Sequence, residues 1–223
     1  MVLKLGIDEA GRGPVVGPLV LAGCLMDEKY EQELKKLGVK DSKKTTKEQR
    51  EKLEEEIKKR AETFEIIIIP PLEIEDKNTH GILLNELEAI AAAEIINRIN
   101  KGFSKIKVII DCPNPNTENW RQLVLSKIND KSTLEVACEH KADVNHIAAS
   151  AASILAKRVR DKEMIILNEK YGNIGSGYCH DPITIKFIEE NLKKYENDGI
   201  FRKTWATWKT AVAKMNQKKL GDF

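Results

Sequence analysis

VLKLGIDEAGRGPVVGPLVLAGCL, residues Val2–Leu25, holds two apolar, β-compatible runs separated by a turn rich in glycine and proline. Val2–Asp8 reads as a strand that ends on its acid. Val16–Leu25 reads as its partner, and the two pair as a hairpin across Gly11-Arg12-Gly13-Pro14. Further along, Thr45–Phe64 is a charged helix opened by Thr45 or Thr46, with Glu48 or Gln49 in its first turn. Glu65–Pro70 is a short apolar strand. Gly81–Ile99 is an alanine-rich helix, apolar on more than one side, that belongs against a sheet. Lys105–Asp111 is a second strand ending in an acid, followed by a helix at Thr117–Ile128 and a strand at Leu134–Cys138. Asp143–Lys170 reads as one long helix whose opening, VNHIAASAASILA, is small enough to approach other backbone closely. Asp181–Tyr195 and Thr204–Lys218 are two more helices. Strands interleaved with helices after a hairpin give an α/β fold: a mixed β-sheet flanked by helices, with a helical C-terminal segment. Residues 1–180 are expected to form the core and residues 181–223 the helical appendage.

The 223 residues are 41% hydrophobic and 32% charged, which excludes collagen-like and largely disordered classes. The longest apolar stretch, Val15–Met26, is interrupted by Gly17, Pro18 and Gly23 and is shorter than the roughly twenty residues a membrane span needs. Neither a membrane segment nor a signal peptide is expected. Cys24, Cys112, Cys138 and Cys179 are far apart and form no CxxC pair, so reduced thiols in a cytoplasmic protein are expected. The net charge of +2 is uneven, −3 over residues 1–150 and +5 over residues 151–223. A basic C-terminal third suits a phosphate-rich ligand as well as an ordinary solvated surface.

Asp8 and Asp111 each end an apolar strand, and ligands gather at the carboxyl ends of strands in open α/β sheets. Glu9 and Asp143 join them as candidates. Consecutive strand residues face opposite sides, so Asp8 and Glu9 share a site only if the backbone leaves β geometry there; the following glycines can supply that break. Carboxylates crowded around one point repel each other, and a hard divalent cation, Mg²⁺ or Mn²⁺, removes the conflict. Asp143 has a rival role as the N-cap of its helix. Arg12 offers a guanidinium fork suited to phosphate, or a surface ion pair. Lys43 is a phosphate contact or one surface lysine among many. Tyr178, in a glycine loop without apolar neighbours, reads as a stacking or sugar-packing group. Gly11-x-Gly13-x-x-x-Gly17 does not open a helix and is no dinucleotide loop. HExxH and GxSxG are both missing from the sequence.

GIDEAGRGPVVGPLV at Gly6–Val20, DSKK at Asp41–Lys44, VIID at Val108–Asp111, KADVNHIAASAASILAKRVRD at Lys141–Asp161, GSGY at Gly175–Tyr178 and RKTWAT at Arg202–Thr207 run through most of the chain. In this the sequence closely resembles the ribonuclease HII family; DEAGRG fits it better than the related HIII enzymes, which carry a lysine where Arg12 stands. The resemblance implies an RNase H-like fold. It implies Mg²⁺- or Mn²⁺-dependent endonucleolytic hydrolysis of RNA hybridised to DNA, and cutting 5′ to a lone ribonucleotide in duplex DNA. By that resemblance Asp8, Glu9, Asp111 and Asp143 are the catalytic, metal-binding acids. Gly11, Arg12 and Gly13 read the ribose 2′-hydroxyl and neighbouring phosphates, and Tyr178 packs on the sugar beside the cut. A non-catalytic nucleic-acid-binding protein on the same fold, and a DNA junction nuclease, stay open as alternatives. Nothing in the sequence demands more than a monomer. At the C-terminus Gln217, Leu220 and Phe223 would share one face of a 3₁₀ turn. That tail resembles the QxxLxxF motif that binds the sliding clamp PCNA, with one aromatic where two are usual.

Overall fold

Gly6 occupies a point where no side chain fits: a Cβ there would lie 2.0 Å from the carbonyl carbon of Ala148. Strand and helix touch backbone to backbone, which the small residues after His146 permit. The computed structural model describes residues 2–41, 45–103 and 105–220, apart from the side chains of Asp41 and residues 215–220.

In chain order the elements are β1 (Leu3–Ala10), β2 (Leu19–Asp27), α1 (Glu31–Lys36), α2 (Lys47–Arg60), β3 (Ala61–Ile69), α3 (Pro71–Thr79) and α4 (Leu84–Ile99). They continue with β4 (Ile106–Asp111), α5 (Thr117–Lys127), β5 (Leu134–Glu139), α6 (Ala142–Asn145), α7 (Ile147–Tyr171), α8 (Pro182–Tyr195) and α9 (Ala206–Leu220). The five strands form one sheet in the order β3-β2-β1-β4-β5. β1 runs antiparallel to β2 and parallel to β4, and β4 runs parallel to β5. The mixed sheet flanked by helices is as the sequence implied.

Two compact units divide the chain. The first comprises Met1–Ala10, Val20–Ile68 and Leu83–Val159. One face of its sheet carries Ala10, Val20, Ala22, Cys24 and Met26, buried against Ala148, Ala151, Ala152 and Leu155 of α7. On the other face α4 comes so close that a Cβ on Gly23 would lie 2.3 Å from Ile95 Cγ2. A strand glycine makes room on each face, Gly6 for the backbone of α7 and Gly23 for the Ile95 side chain of α4. The second unit comprises Gly11–Leu19, Ile69–Ile82 and Arg160–Phe223. Its core packs Val15 and Val16 with Met164, Phe187, Phe201 and Trp208.

Several boundaries differ from those the sequence suggested. The Thr45–Phe64 helix ends at Arg60, because β3 starts at Ala61 and draws Thr63–Phe64 into the sheet. Its cap is a reciprocal box: the Gln49 N–H donates to Thr46 Oγ1 at 3.2 Å and the Thr46 N–H donates to Gln49 Oε1 at 2.8 Å. α1 and α3 were not expected; α3 begins on Pro71, a residue whose fixed φ suits a first helical turn. The long helix expected at Asp143–Lys170 is interrupted at His146, whose backbone is extended at φ −126°, ψ 127°. α9 is α-helical to Leu220, and the turn expected to carry Gln217, Leu220 and Phe223 on one face extends past the described residues. The side chains of Gln217 and Leu220, and all of Lys43 and Phe223, lie outside the described residues.

Candidate active site

The parallel register pairs Ile7 with Ile110. Asp8 and Asp111 therefore leave neighbouring strands at the same level, which is the convergence that two strand-end acids need. Asp143 arrives from α6. Lys141, at φ 60° the one described non-glycine residue in the left-handed region, turns the chain there. The Ala142 N–H then donates to Asp111 Oδ1 at 2.7 Å, pinning the start of α6 over the end of β4. The capping role considered for Asp143 does not hold: Lys141 is the N-cap residue, without a side-chain cap bond, and Asp143 sits inside the first turn. Asp143 is 2% exposed and Asp8 is 5% exposed.

Burial pushes the Asp8 carboxyl up to about 7, and the negative charges of Asp111 and Asp143 push the same way. Hydrogen bonds from the Ser153 hydroxyl and from the Glu9 N–H (2.7 Å to Oδ1) oppose the shift without cancelling it. Asp8 therefore holds its proton to near neutral pH, chiefly because it is buried, with the charges of Asp111 and Asp143 adding to the shift. Ser153 is fully buried on α7. The sequence reading missed it because a serine among alanines looks like another small packing residue.

Glu9 does not follow the expected route. The backbone does not leave β geometry, because β1 pairs with β2 through Glu9↔Leu21 and Ala10↔Val20. Strand alternation then starts the Glu9 side chain on the face opposite Asp8. There Asp111, Glu9 and the buried Glu88 all raise the Cys112 thiol pKa, after burial itself. Asp111 is thus the group felt from both sides.

Among the described residues, no three His, Cys, Asp or Glu side chains are already arranged to enclose an ion. The donor chemistry nevertheless fits a hard divalent cation: Asp111 and Asp143 beside Asp8 are carboxylates, and a cation would offset both their repulsion and the cost of charging the buried Asp8.

Gly11, Arg12, Gly13 and Tyr178 belong to the second unit. Gly11 is buried at φ 86°, and a Cβ there would lie 2.6 Å from Cδ and Nε of Arg160. Only glycine suits both the space and the dihedral. Arg12 is half-buried and Gly13 is exposed. Tyr178 is half-buried, its ring face 5.0 Å from the Arg160 guanidinium carbon and 5.4 Å from the His180 ring. Arg160 Nη2 donates to Ser176 O at 2.8 Å, and Asp181 Oδ2 accepts from the Ser176 N–H at 2.7 Å, so the GSGY loop is held from two sides. Tyr178 is no core residue, as its glycine surroundings suggested. Arg160 and Arg202, both inside quoted motifs, were not singled out; buried arginines are rare enough that the sequence favours the surface for them.

A mixed sheet carrying acids at the ends of adjacent parallel strands, wrapped by helices, defines the RNase H-like class of nucleases. The ribonuclease HII family model matches residues 5–208. A ribonuclease HII of Methanobrevibacter smithii is 41% identical over 206 residues, covering 91% of this chain and 95% of its own length. The crystal structure of ribonuclease H2 from Pyrococcus horikoshii superposes with a TM-score of 0.85 at 36% identity, covering 96% of this chain and 99% of that one. A structure of the PCNA:RNase HII complex from Archaeoglobus fulgidus superposes with a TM-score of 0.80 at 36% identity, covering 92% and 95%. The chain belongs to the ribonuclease HII family. It is a type 2 ribonuclease H, an endonuclease acting on RNA paired with DNA. Among the described residues no helix is long and apolar enough to cross a membrane.

Proposed function

We propose that the enzyme cuts on the 5′ side of a ribonucleotide, in a hybrid or alone in a DNA duplex, and leaves 5′-phosphate and 3′-hydroxyl ends. The observation that carries this reading is the parallel register that brings Asp8 and Asp111 to one level at the ends of β1 and β4, with the start of α6, which bears Asp143, pinned to Asp111. Asp8, Asp111 and Asp143 are catalytic acids that would hold Mg²⁺ or Mn²⁺, and Glu9, which starts on the other face of β1, joins them through Asp111 at the strand ends, where both act on Cys112; the family depends on divalent metal. A bound divalent ion supplies activation of water and neutralisation of charge at the phosphate. The chain's own part is positioning. Ser153 and the Glu9 N–H orient Asp8, and the Ala142 N–H orients Asp111. Discrimination of RNA from DNA needs contact with the 2′-hydroxyl. Gly11, Arg12 and Gly13 fit that task, with little side-chain bulk at the two glycines. The ring of Tyr178, braced by Arg160, offers a flat face for the sugar, and Lys43 is a phosphate contact.

The PCNA complex of the Archaeoglobus relative supports a sliding clamp as partner, and the segment assigned to docking in this proposal is Gln217, Leu220 and Phe223. Deleting residues 217–223 should abolish capture by immobilised clamp, and undiminished capture removes the idea. The enzyme is expected to work as a monomer in the cytoplasm, the compartment being supported by four free cysteines. Product mapping on a duplex with one ribonucleotide tests the cut. The expected fragment begins with the ribonucleotide and carries a 5′-phosphate. A cut on its 3′ side, or a 2′,3′-cyclic phosphate end, refutes the proposal.

A further inference from the structure

Arg202 is the largest side chain that is fully buried, with 0% exposure. Its guanidinium is spent on backbone carbonyls of the Gly11–Gly17 loop. Nη2 donates to Gly11 O at 2.6 Å and to Gly17 O at 2.9 Å, Nη1 donates to Arg12 O at 2.8 Å, and Nε donates to Gly17 O at 3.2 Å. The Trp205 ring lies 5.0 Å from the guanidinium carbon. The backbone adds two ties, the Arg202 N–H donating to Val15 O at 2.8 Å and the Gly17 N–H donating to Ile200 O at 3.1 Å, which together make the antiparallel bridge between Val16 and Phe201. Burying a full charge is expensive. That expense is hard to account for by packing alone, since an apolar side chain packs as well.

What a planar fork adds is direction. A trans peptide sets each C=O opposite the N–H of the next residue, and no cis peptide occurs among the described residues. With Gly11 O and Arg12 O both turned onto Arg202, the N–H groups of Arg12 and Gly13 are turned away from it. Gly13 is exposed, so that outer side of the loop faces solvent. Adjacent N–H groups sharing one side of a loop favour an anion. We propose that Arg202 is a positioning residue that aims the Arg12 and Gly13 N–H groups outward onto a phosphate of the nucleic acid. The inference rests on the reading of Gly11–Gly13 as the substrate-contacting loop.

The test is Arg202→Lys, which keeps the charge but loses the fork. Steady-state cleavage of an RNA/DNA hybrid should show KM raised at least tenfold, with kcat at saturating hybrid within about threefold of the parent. Unchanged KM, or a fall confined to kcat, overturns the proposal. Should Arg202→Lys fail to fold, Trp205→Leu loosens the same guanidinium from beneath and should raise KM several-fold with kcat held; unchanged KM again overturns it. Amide hydrogen exchange at Arg12 and Gly13 in the substrate-free protein reads loop orientation by itself. Altered exchange in the variant supports the role of Arg202, and unaltered exchange refutes it. If hybrid does not protect those two amides in the parent enzyme, the substrate reading of the loop fails instead.

Discussion

Replacing Asp8 by asparagine should make the metal-free protein more stable while removing its activity. Asp8 is 5% exposed, and its carboxyl is pushed up to about 7 by burial and by Asp111 and Asp143. The unfolded chain releases that proton near 4, so between the two values the folded state binds a proton that the unfolded state does not. Stability therefore falls as pH rises through this window, and the penalty is fully present above pH 7. At ~1.4 kcal/mol per unit, the cost of charging Asp8 grows by about 2–3 kcal/mol between pH 5 and pH 8. Asparagine keeps an oxygen for the Glu9 N–H and the Ser153 hydroxyl but carries no charge. In a chain of this length ~1 kcal/mol is worth roughly 2–4 °C. Thermal denaturation in EDTA should then show the Asp8→Asn advantage widening by about 4–12 °C from pH 5 to pH 8. Saturating Mg²⁺ at pH 8 should raise the Tm of the parent more than that of the variant, because ligand binding to the folded state stabilises it by mass action. An advantage that does not change with pH, or a variant less stable than the parent at pH 8 in EDTA, refutes the electrostatic reasoning.

Three further substitutions probe other parts of the structure. Asp143→Asn should melt near the parent, since Asp143 caps no helix, and should lose most cleavage activity; normal turnover would contradict its place among the acids. Gly6→Ala puts a Cβ 2.0 Å from the Ala148 carbonyl carbon, and overpacking of backbone on backbone should cost at least ~3 kcal/mol, read as a large drop in denaturation midpoint. Arg158→Met strips the buried Glu54 of a 3.1 Å ion pair and the exposed Glu51 of a 2.9 Å one. It should cost about 2–4 kcal/mol in urea melts, the remaining Lys58–Glu54 pair softening the loss.

The parts of this molecule legible in the sequence are those set by local pattern. β1 and β4 are apolar runs that stop on an acid, so their ends could be read directly. Their parallel pairing through Ile7 and Ile110 is a long-range fact that alternation cannot supply, and the family motifs carried that step. The break at His146 was invisible because small residues on both sides are equally at home in helix. The left-handed Lys141 that replaces a cap was equally hidden, since lysine has no preference for that geometry. Glu9 was misjudged in path: the turn glycines looked able to break the strand early, but the ladder with β2 persists to Ala10. Arg202 was legible only as a letter in RKTWAT. Its burial follows from the second unit, which gathers three stretches distant in sequence, and periodicity is silent about which distant segments meet.

The most direct test of the central claim, that carboxylates gathered at the ends of β1 and β4 run a divalent-metal nuclease, is cleavage of a duplex carrying one ribonucleotide. The rate is measured in Mg²⁺, in EDTA, and after excess Mg²⁺ is returned, with an all-DNA duplex alongside. The expected result is cutting at the ribonucleotide in Mg²⁺, none in EDTA, recovery on return of the metal, and an intact DNA control. Cleavage that survives EDTA, or equal cleavage of the all-DNA duplex, would contradict the account.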